Sequence, residues 1–413
     1  MKKDKTIFNK TMLLIALCWL VYTCSYLGKL GYNANITQIE TVYSISHPTA
    51  GTVSTFFFFA YGIGQILNGV FCKKYKIRLV VFVSLLVSGF MNFLVGISNN
   101  FSFVKYFWLI NGAALSVLWP SLIRLLSETL DQKVIGRAVV VMGTTVAVGT
   151  IFVYGLSALF AWIATYTIIF YTAGVLLPMI ALLWFFAYPK LTTQKPVAIK
   201  EEIHEENTPK KRKWIADSWF TISILAFFAI ADNFIKDGLT TWVPMILKET
   251  YALPDSLSIL LTIILPILAI FGTGLTVILH KKIKDFVTLS AILFLASTIC
   301  IAIVILCLPM NWYFITLGSF GIISCLMAGV NNIITSMAPL YLKHKINAGV
   351  LAGILNGFCY LGSTLSSYGL GAIADFGGWV TVFWLLFAVC IAALLLWIFY
   401  LIITNIILKK SNA

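Results

Sequence analysis

Apolar stretches of about twenty residues recur along the whole chain, separated by short polar segments. Because such a stretch, as an α-helix, is long enough to cross the roughly 30 Å hydrocarbon core of a bilayer, the pattern predicts an all-α membrane protein. The alternating segments of about ten residues that mark a membrane β-barrel are missing from the sequence. Twelve transmembrane helices are predicted, at residues 10–38, 48–71, 78–97, 103–129, 135–158, 163–188, 215–247, 254–280, 286–308, 312–341, 347–374 and 379–408.

The first apolar stretch follows the basic segment MKKDKTIFNK, and no small-residue cleavage site comes after it. A secretory signal peptide ends in such a site, so this stretch is predicted to remain as the first helix.

A polar segment at the middle of the chain, KLTTQKPVAIKEEIHEENTPKKRKW, predicts a cytoplasmic linker. On either side the charged landmarks repeat: Lys29 and Lys236 are 207 residues apart, and the basic segments CKKYKIR at 72 and HKKIKD at 280 are 208 apart. This spacing predicts two pseudo-symmetric six-helix halves, 1–188 and 215–413, joined by a linker at 189–214. Parallel repeats of this kind place a substrate site centrally, near the middle of the membrane.

The net charge of +14 follows from the distribution of basic residues along the predicted topology. With a cytoplasmic amino terminus, 24 of the 29 Lys and Arg residues fall on one side, the clusters being 2–10, 73–78, 133–137, 190–213, 281–284, 343–345 and 409–410. This is the positive-inside pattern, so the charge predicts orientation in the bilayer and does not indicate nucleic acid. The sequence predicts a multi-pass protein of the cell inner (plasma) membrane, with both termini cytoplasmic.

The eight cysteines and four histidines show no paired or metal-ligand spacing, and no nucleophile constellation or cofactor loop is apparent. We therefore expect no metal, no cofactor and no enzyme activity, and a monomer in the bilayer.

Lys29 and Lys236 lie inside predicted helices, where a lysine costs at least about 2.5 kcal/mol and needs a partner or a wet cavity. Two ammonium groups that face one cavity repel each other, and a bound dianion removes that repulsion. Phosphate or phosphonate oxygens accept charge-assisted hydrogen bonds from both sides, with a carboxylate as the weaker guest. The pair predicts a site for a small organic anion.

Each lysine also has a purely structural interpretation. Lys29 could snorkel towards the polar residues that follow it. Lys236 could pair with Asp232, four residues earlier on the same helix face, with Asp237 also adjacent. If that pair persists, Asp232 becomes a candidate proton carrier.

Other polar residues in the apolar helices are weaker candidates. Tyr22 and Tyr26 share the helix face of Lys29, where a hydroxyl could reach a phosphate oxygen, although aromatic packing explains either one alone. Arg124 has Glu128 four residues later, and this pair is interpreted as structural or gating. The asparagines of the later helices, Asn331, Asn332 and Asn356, are assigned to helix packing.

Five segments carry a resemblance to a known family: YTCSYLGK, AYGIGQILNG, LINGAALSVLWPSLIRLL, IKDGLTTWVPMILKE and GFCYLGSTLSSYGLGAIADFGGW. In this order and spacing they resemble the organophosphate:phosphate antiporters of the major facilitator superfamily, which include the glycerol-3-phosphate and glucose-6-phosphate transporters. The resemblance covers nearly the whole chain.

The resemblance implies functional roles. The two arginines that bind substrate phosphate in that family fall on Lys29 and Lys236. Its tyrosines on helices one, two and eleven are matched by Tyr22, Tyr26, Tyr61 and Tyr360.

The chain also departs from the family. A helix-two lysine is replaced by Gln65, a helix-five histidine by Val146 and a helix-seven tyrosine by Asn233, so the substrate is expected to differ from glycerol phosphate. The aspartates that open two cytoplasmic loops are replaced by Lys73 and Lys281, which brings the usual charge latch into question.

These observations predict a secondary active transporter that exchanges a phosphate ester or phosphonate by alternating access, with the anion held by Lys29 and Lys236. Two alternatives remain open: a proton-coupled symporter of carboxylates or sugar acids, and a transporter-like sensor of sugar phosphates.

Overall fold

The structure is a computed structural model that describes residues 2–71, 75–192, 219–342 and 348–412. Within these ranges every regular secondary-structure element is a helix. The helices are α1 (Lys2–Ala34), α2 (Ile36–Tyr43), α3 (His47–Phe71), α4 (Ile77–Ile97), α5 (Phe101–Leu115), α6 (Leu118–Thr129), α7 (Gln132–Ile163), α8 (Thr167–Leu191), α9 (Trp219–Tyr251), α10 (Asp255–Leu261), α11 (Ile264–His280), α12 (Phe286–Cys307), α13 (Tyr313–Asn332), a π-helix (Ile333–Met337), α14 (Ala338–Tyr341) and α15 (Ala348–Asn412). Most of the predicted linker (residues 193–214), together with Lys73, lies outside the described residues.

Chain contacts divide the structure into two compact units. The first contains the described residues within Met1–Ser44, Phe56–Glu202 and Pro254–Ile263, and the second those within Ile45–Thr55, Ile203–Leu253 and Ile264–Ala413. In the first unit α1 packs on α7 and α8, and α4 packs along α8. In the second unit α9 packs along α15, and α11 packs along α13.

The last helix is longer than a membrane span requires. Eleven helical stretches among the described residues are long and apolar enough to cross a bilayer, and the last of them, Val350–Ile406, has 57 residues. At about 1.5 Å per residue it is far longer than one crossing. Gly378 interrupts it with φ 73° and ψ 174°, a conformation that glycine adopts readily and other residues do not. The break separates the two helices predicted at 347–374 and 379–408, which gives twelve spans in the part of the chain that the structure describes.

The first helix ends earlier than the predicted residue 38. Helix α1 stops at Ala34, and the separate helix α2 follows. The Asn35 side chain donates hydrogen bonds to Gly31 O at 2.8 Å and to Ser157 Oγ at 2.9 Å, which fixes the end of α1 against α7. Polar residues do occur at this junction, at Asn33, Asn35 and Thr37, but they did not indicate where the helix breaks.

Side chains are distributed as expected for a protein in lipid. Large aromatic residues such as Trp108, Trp184 and Trp242 are fully buried between helices. Small polar residues, including Ser88 and Ser363, are buried as well, where they join helices through hydrogen bonds. Exposed positions along the spans carry many large apolar side chains, which is the surface that hydrocarbon favours.

The start of α3 belongs to the second unit and packs closely there. Gly51 lies so near the Ser367 carbonyl on α15 that a Cβ atom would collide with it. His47 Nε2 lies 3.3 Å from Glu249 Oε1 and 3.6 Å from Asp375 Oδ1. The Trp379 indole also donates to Glu249, at 2.7 Å. The start of α3 is therefore held to α9 and α15 by polar contacts as well as by close backbone approach.

Candidate functional site

Lys29 lies on α1 within the first unit and is surrounded by aromatic rings. Its Nζ is 4.6 Å from the centroid of the Tyr61 ring and 5.5 Å from that of Tyr26. Both are cation–π distances, at which the negative face of a ring attracts an ammonium group without neutralising it. Tyr22 packs on Tyr26, with ring centroids 5.7 Å apart, and on Trp119. The structure thus brings Lys29 together with two of the tyrosines predicted to accompany it, Tyr26 and Tyr61, and Tyr22 packs against Tyr26.

The backbone beside Lys29 is fixed by neighbouring helices. Asn111 Nδ2 on α5 donates to Gly28 O at 2.7 Å, and Asn92 Nδ2 on α4 donates to the same oxygen at 3.4 Å. Ser88 Oγ in turn donates to Asn111 Oδ1 at 2.7 Å. A side chain at position 28 would collide with Ser88, so glycine permits this close approach of α1 to α4. These bonds hold the turn of α1 that carries Lys29.

Gln65 lies on α3 in the same unit and is buried. Its Nε2 donates to Ser116 O at 3.0 Å, at the junction where α5 ends and α6 begins. This contact ties α3 to a break within the predicted helix 103–129.

Lys236 lies on α9 in the second unit within a network of polar side chains. Its Nζ donates to Asn233 Oδ1 at 3.0 Å and is 3.9 Å from Asp237 Oδ1. The Asn233 amide nitrogen donates to Asp237 Oδ2 at 3.3 Å and to Ser363 Oγ on α15 at 3.2 Å. We call Asp232, Asn233, Lys236, Asp237, Asn331 and Ser363 the α9 polar cluster.

Asn331 connects α13 to this cluster. Its Nδ2 donates to Asp232 Oδ2 at 3.1 Å and to Asn233 Oδ1 at 3.0 Å. Asp232 is fully buried, and its other oxygen, Oδ1, has no hydrogen-bond partner among the described residues. In the described part of the chain, Asp237 is therefore the residue whose carboxylate lies within 4.0 Å of Lys236. Asp232, the partner predicted for Lys236, contacts Asn331 instead.

Two further predictions concern residues outside these clusters. Tyr360 is half-buried on α15, next to Cys359, whose sulfur is 3.7 Å from Asn331 Nδ2. The predicted pair of Arg124 and Glu128 is confirmed, with Nε and Oε1 2.7 Å apart along α6. The guanidinium also donates to Tyr75 O at 3.4 Å, so the pair joins α6 to the segment before α4.

The assignment of Asn331 to helix packing agrees with its hydrogen bonds, which join α13 to α9, but its place beside Asp232 and Asn233 was not predicted. An asparagine in an apolar span was the available signal, but it did not indicate which helix the amide would meet. A π-helix begins two residues later, at Ile333, and such single-turn insertions frequently occur at functional sites.

No group of three or more His, Cys, Asp or Glu residues in the described ranges is arranged to hold a metal ion. The chemistry offered here is that of ammonium, carboxyl, amide and hydroxyl groups inside apolar helices. These features define a multi-pass membrane protein with charged groups within its spans. Charged groups in such positions commonly line the pathway of a substrate or an ion.

Comparison with known proteins identifies the family. The sequence profile of the Major Facilitator Superfamily matches residues 18–367, so the chain belongs to this superfamily of transporters. The predicted fold class is confirmed: the fold is all-helical, with twelve spans in two halves.

Curated relatives are distant. A protein named "Probable hexose phosphate transport protein" from Chlamydia trachomatis is 23% identical over 379 residues, which cover 84% of this chain and 81% of that protein. The "Membrane sensor protein UhpC" of Escherichia coli is 25% identical over 93 residues, about a fifth of each chain (22% and 21%). The resemblance predicted from the sequence is confirmed, since these relatives are named for hexose phosphate transport and for the sensor UhpC.

Solved structures show the same fold. A bacterial homologue of the human lysosomal transporter Spinster, in an inward-facing and unoccupied conformation, aligns with a TM-score of 0.73 at 15% identity, covering 97% of this chain and 98% of that one. The D-xylose-proton symporter aligns with a TM-score of 0.70 at 14% identity, covering 94% and 97%.

Proposed function

We propose that this protein is a secondary active transporter of a small organic anion, a phosphate ester or phosphonate, which it exchanges by alternating access. The observation that carries the proposal is that each of the two units contains a lysine in the interior of an apolar span, Lys29 on α1 and Lys236 on α9. Relatives named for hexose phosphate transport support a phosphate ester as the substrate.

Both lysines act as binding residues in this proposal. The Tyr26 and Tyr61 rings orient the Lys29 ammonium through cation–π contacts. Asn233 orients the Lys236 ammonium through a hydrogen bond. Tyr22, Gln65 and Tyr360 complete the proposed substrate-binding set.

Binding is the first step to test. Purified protein is screened by thermal shift against glucose 6-phosphate, inorganic phosphate, methylphosphonate and gluconate. A bound ligand stabilises the folded state by mass action, so phosphate esters should raise the unfolding midpoint more than gluconate does. A larger shift with gluconate contradicts the proposed substrate class.

Proton-coupled carboxylate symport is the second candidate, and a specific observation favours proton coupling. Asp232 is buried with one carboxylate oxygen unpartnered among the described residues, which is the environment of a group that binds a proton. Uptake of gluconate driven by a pH gradient alone, without an internal anion, would establish this function in place of exchange.

A sensor of sugar phosphates is the remaining alternative, because one relative is named as a membrane sensor protein. Glucose 6-phosphate binding without any flux into proteoliposomes would indicate a sensor.

We further propose that the protein acts as a monomer. The positive-inside pattern of its loops supports a place in the cell inner membrane with both termini cytoplasmic. A cysteine introduced in the basic loop at Lys281 should then react with a membrane-impermeant maleimide only after the cells are opened. Labelling in intact cells contradicts this orientation.

A further inference from the structure

The two carboxyl groups of the α9 polar cluster lie in different environments. Asp237 Oδ2 accepts hydrogen bonds from Ser363 Oγ and from Asn233 Nδ2, and Asp237 Oδ1 is 3.9 Å from the Lys236 ammonium. Asp232 has a single donor, Asn331, on Oδ2, and its Oδ1 has none in the described ranges. Hydrogen bonds and a nearby cation stabilise an ionised carboxylate, so a negative charge has more support from its neighbours at Asp237 than at Asp232.

Asp232 is the group whose charge is costly. It is fully buried, and an ionised carboxylate removed from water without compensating hydrogen bonds is strongly disfavoured. A proton on the unpartnered Oδ1 removes the charge and keeps the Asn331 bond to Oδ2. The titratable groups that act on Asp232 in the described structure are Lys236 and Asp237 on α9 and the Cys359 thiol on α15, while α13 contributes the neutral amide of Asn331.

Asn331 links this carboxyl group to the lysine. An asparagine side chain has two N–H donors, and Nδ2 of Asn331 donates to Asp232 Oδ2 and to Asn233 Oδ1. The same Asn233 oxygen accepts the hydrogen bond from Lys236 Nζ. A continuous path of three hydrogen bonds therefore runs from Asp232 through Asn331 and Asn233 to Lys236.

The charge of the cluster changes with this proton. With both aspartates ionised and the lysine protonated, the cluster has a net charge of −1, which repels an anion. With Asp232 protonated the cluster is neutral. The attraction of an anion to the Lys236 ammonium is then opposed by repulsion from one carboxylate instead of two.

From this geometry we infer that Asp232 is a proton-binding site whose occupancy controls anion affinity at Lys236, and that Asn331 is the positioning residue that couples the two. The inference rests on the proposed function, since Lys236 must bind the anion. A proton and an anion then bind together, and anion affinity increases as pH falls.

The test measures protons bound with the anion. Glucose 6-phosphate is titrated into detergent-purified full-length protein by calorimetry in two buffers of different ionisation enthalpy, between pH 6 and pH 8. Because the probe has its own ionisation near pH 6, the comparison is with Asp232→Asn, which mimics the protonated carboxyl. Wild type should take up as much as one proton more per bound anion than Asp232→Asn does. As pH rises, the affinity of wild type should fall relative to that of the variant, by up to about tenfold per pH unit.

The direction of the effect at high pH separates coupling from damage. At pH 8 Asp232→Asn should bind glucose 6-phosphate more tightly than wild type, by about tenfold or more, whereas a disrupted fold would weaken binding. Asn331→Ala removes the donor that favours the ionised form of Asp232, so Asp232 should stay protonated over this pH range. The pH dependence of binding by Asn331→Ala should therefore become as shallow as that of Asp232→Asn. The matched control is Asn332→Ala, because Asn332 Nδ2 donates to Thr276 Oγ1 on α11 at 3.1 Å. It should keep the wild-type profile.

Three results would overturn the inference while leaving the proposed function intact. The first is that wild type binds the anion with no proton uptake beyond the probe's own. The second is that the affinity of Asp232→Asn depends on pH as steeply as that of wild type. The third is that Asn331→Ala and Asn332→Ala show the same dependence of affinity on pH. At pH 8 glucose 6-phosphate is almost fully ionised, so the first result requires no variant there and decides the question even if Asp232→Asn does not fold. Failure of glucose 6-phosphate, inorganic phosphate, methylphosphonate and gluconate alike to bind wild type overturns the proposed function, and this inference with it.

Discussion

Asn331 Nδ2 lies 3.1 Å from Asp232 Oδ2, although the two residues are 99 positions apart in the sequence. The contact joins α13 to α9 within the second unit and completes the hydrogen-bonded path that reaches Lys236 through Asn233. A lysine inside an apolar span is thus set among amides, hydroxyls and carboxyls. In the first unit the Lys29 ammonium lies over the aromatic faces of Tyr26 and Tyr61.

The Tyr61 ring should support anion binding by holding Lys29. Replacement by leucine removes the ring face that lies 4.6 Å from Nζ, and a cation–π contact of about 0.5–2 kcal/mol corresponds to about a 2- to 30-fold loss of affinity. Phenylalanine keeps the face and should bind nearly as well as wild type. The measurement is the dissociation constant for glucose 6-phosphate. An equal loss in both variants would assign the role to the Tyr61 hydroxyl instead of the ring.

The close approach at Gly51 should limit stability. Gly51→Ala places a methyl group against the Ser367 carbonyl, and a crowded substitution costs about 1–3 kcal/mol, so the unfolding midpoint in detergent should fall. Gly143→Ala is the matched control, because a Cβ there meets nothing within 4 Å and alanine favours a helix. Equal midpoints for the two variants would show that α3 and α15 do not approach as closely as described.

The break at Gly378 should require glycine. Alanine at φ 73° and ψ 174° is strained by about 1–3 kcal/mol, so Gly378→Ala should lower the unfolding midpoint although a Cβ would have open space. Gly369→Ala, elsewhere in α15 and also without close neighbours, should leave the midpoint unchanged or raise it. If Gly378→Ala is as stable as Gly369→Ala, the two last spans do not need this conformation.

The sequence predicted the spans well because the apolar pattern directly reports the requirement to cross a bilayer. The predicted helix at 78–97 is observed as Ile77–Ile97, and that at 286–308 as Phe286–Cys307. The breaks were not predicted. Helices α5 and α6 separate after Leu115, and a π-helix begins at Ile333, within apolar stretches where hydropathy does not change.

The candidate residues were predicted for the same reason: a charge in an apolar span is costly and therefore noticeable. Lys29 and Lys236 were found in this way, and the helix periodicity placed Tyr26 on the face of Lys29. Their partners on other helices were not predictable, because contacts between helices depend on packing that one sequence does not reveal. Asn331 illustrates this limit, since its amide meets a carboxyl group 99 residues away.

Transport by variants of the two lysines tests the central claim most directly. Proteoliposomes loaded with inorganic phosphate are given radiolabelled glucose 6-phosphate, and the initial rate of exchange is measured for Lys29→Ala, Lys236→Ala and the two arginine variants. Lys105→Ala is the control, since this lysine is on α5 near the end of a span and lies 5.3 Å from the ring centroid of Tyr106. The account predicts loss of exchange in both alanine variants, partial activity in the arginine variants and a wild-type rate for Lys105→Ala. Near-normal exchange by Lys29→Ala and Lys236→Ala would contradict it.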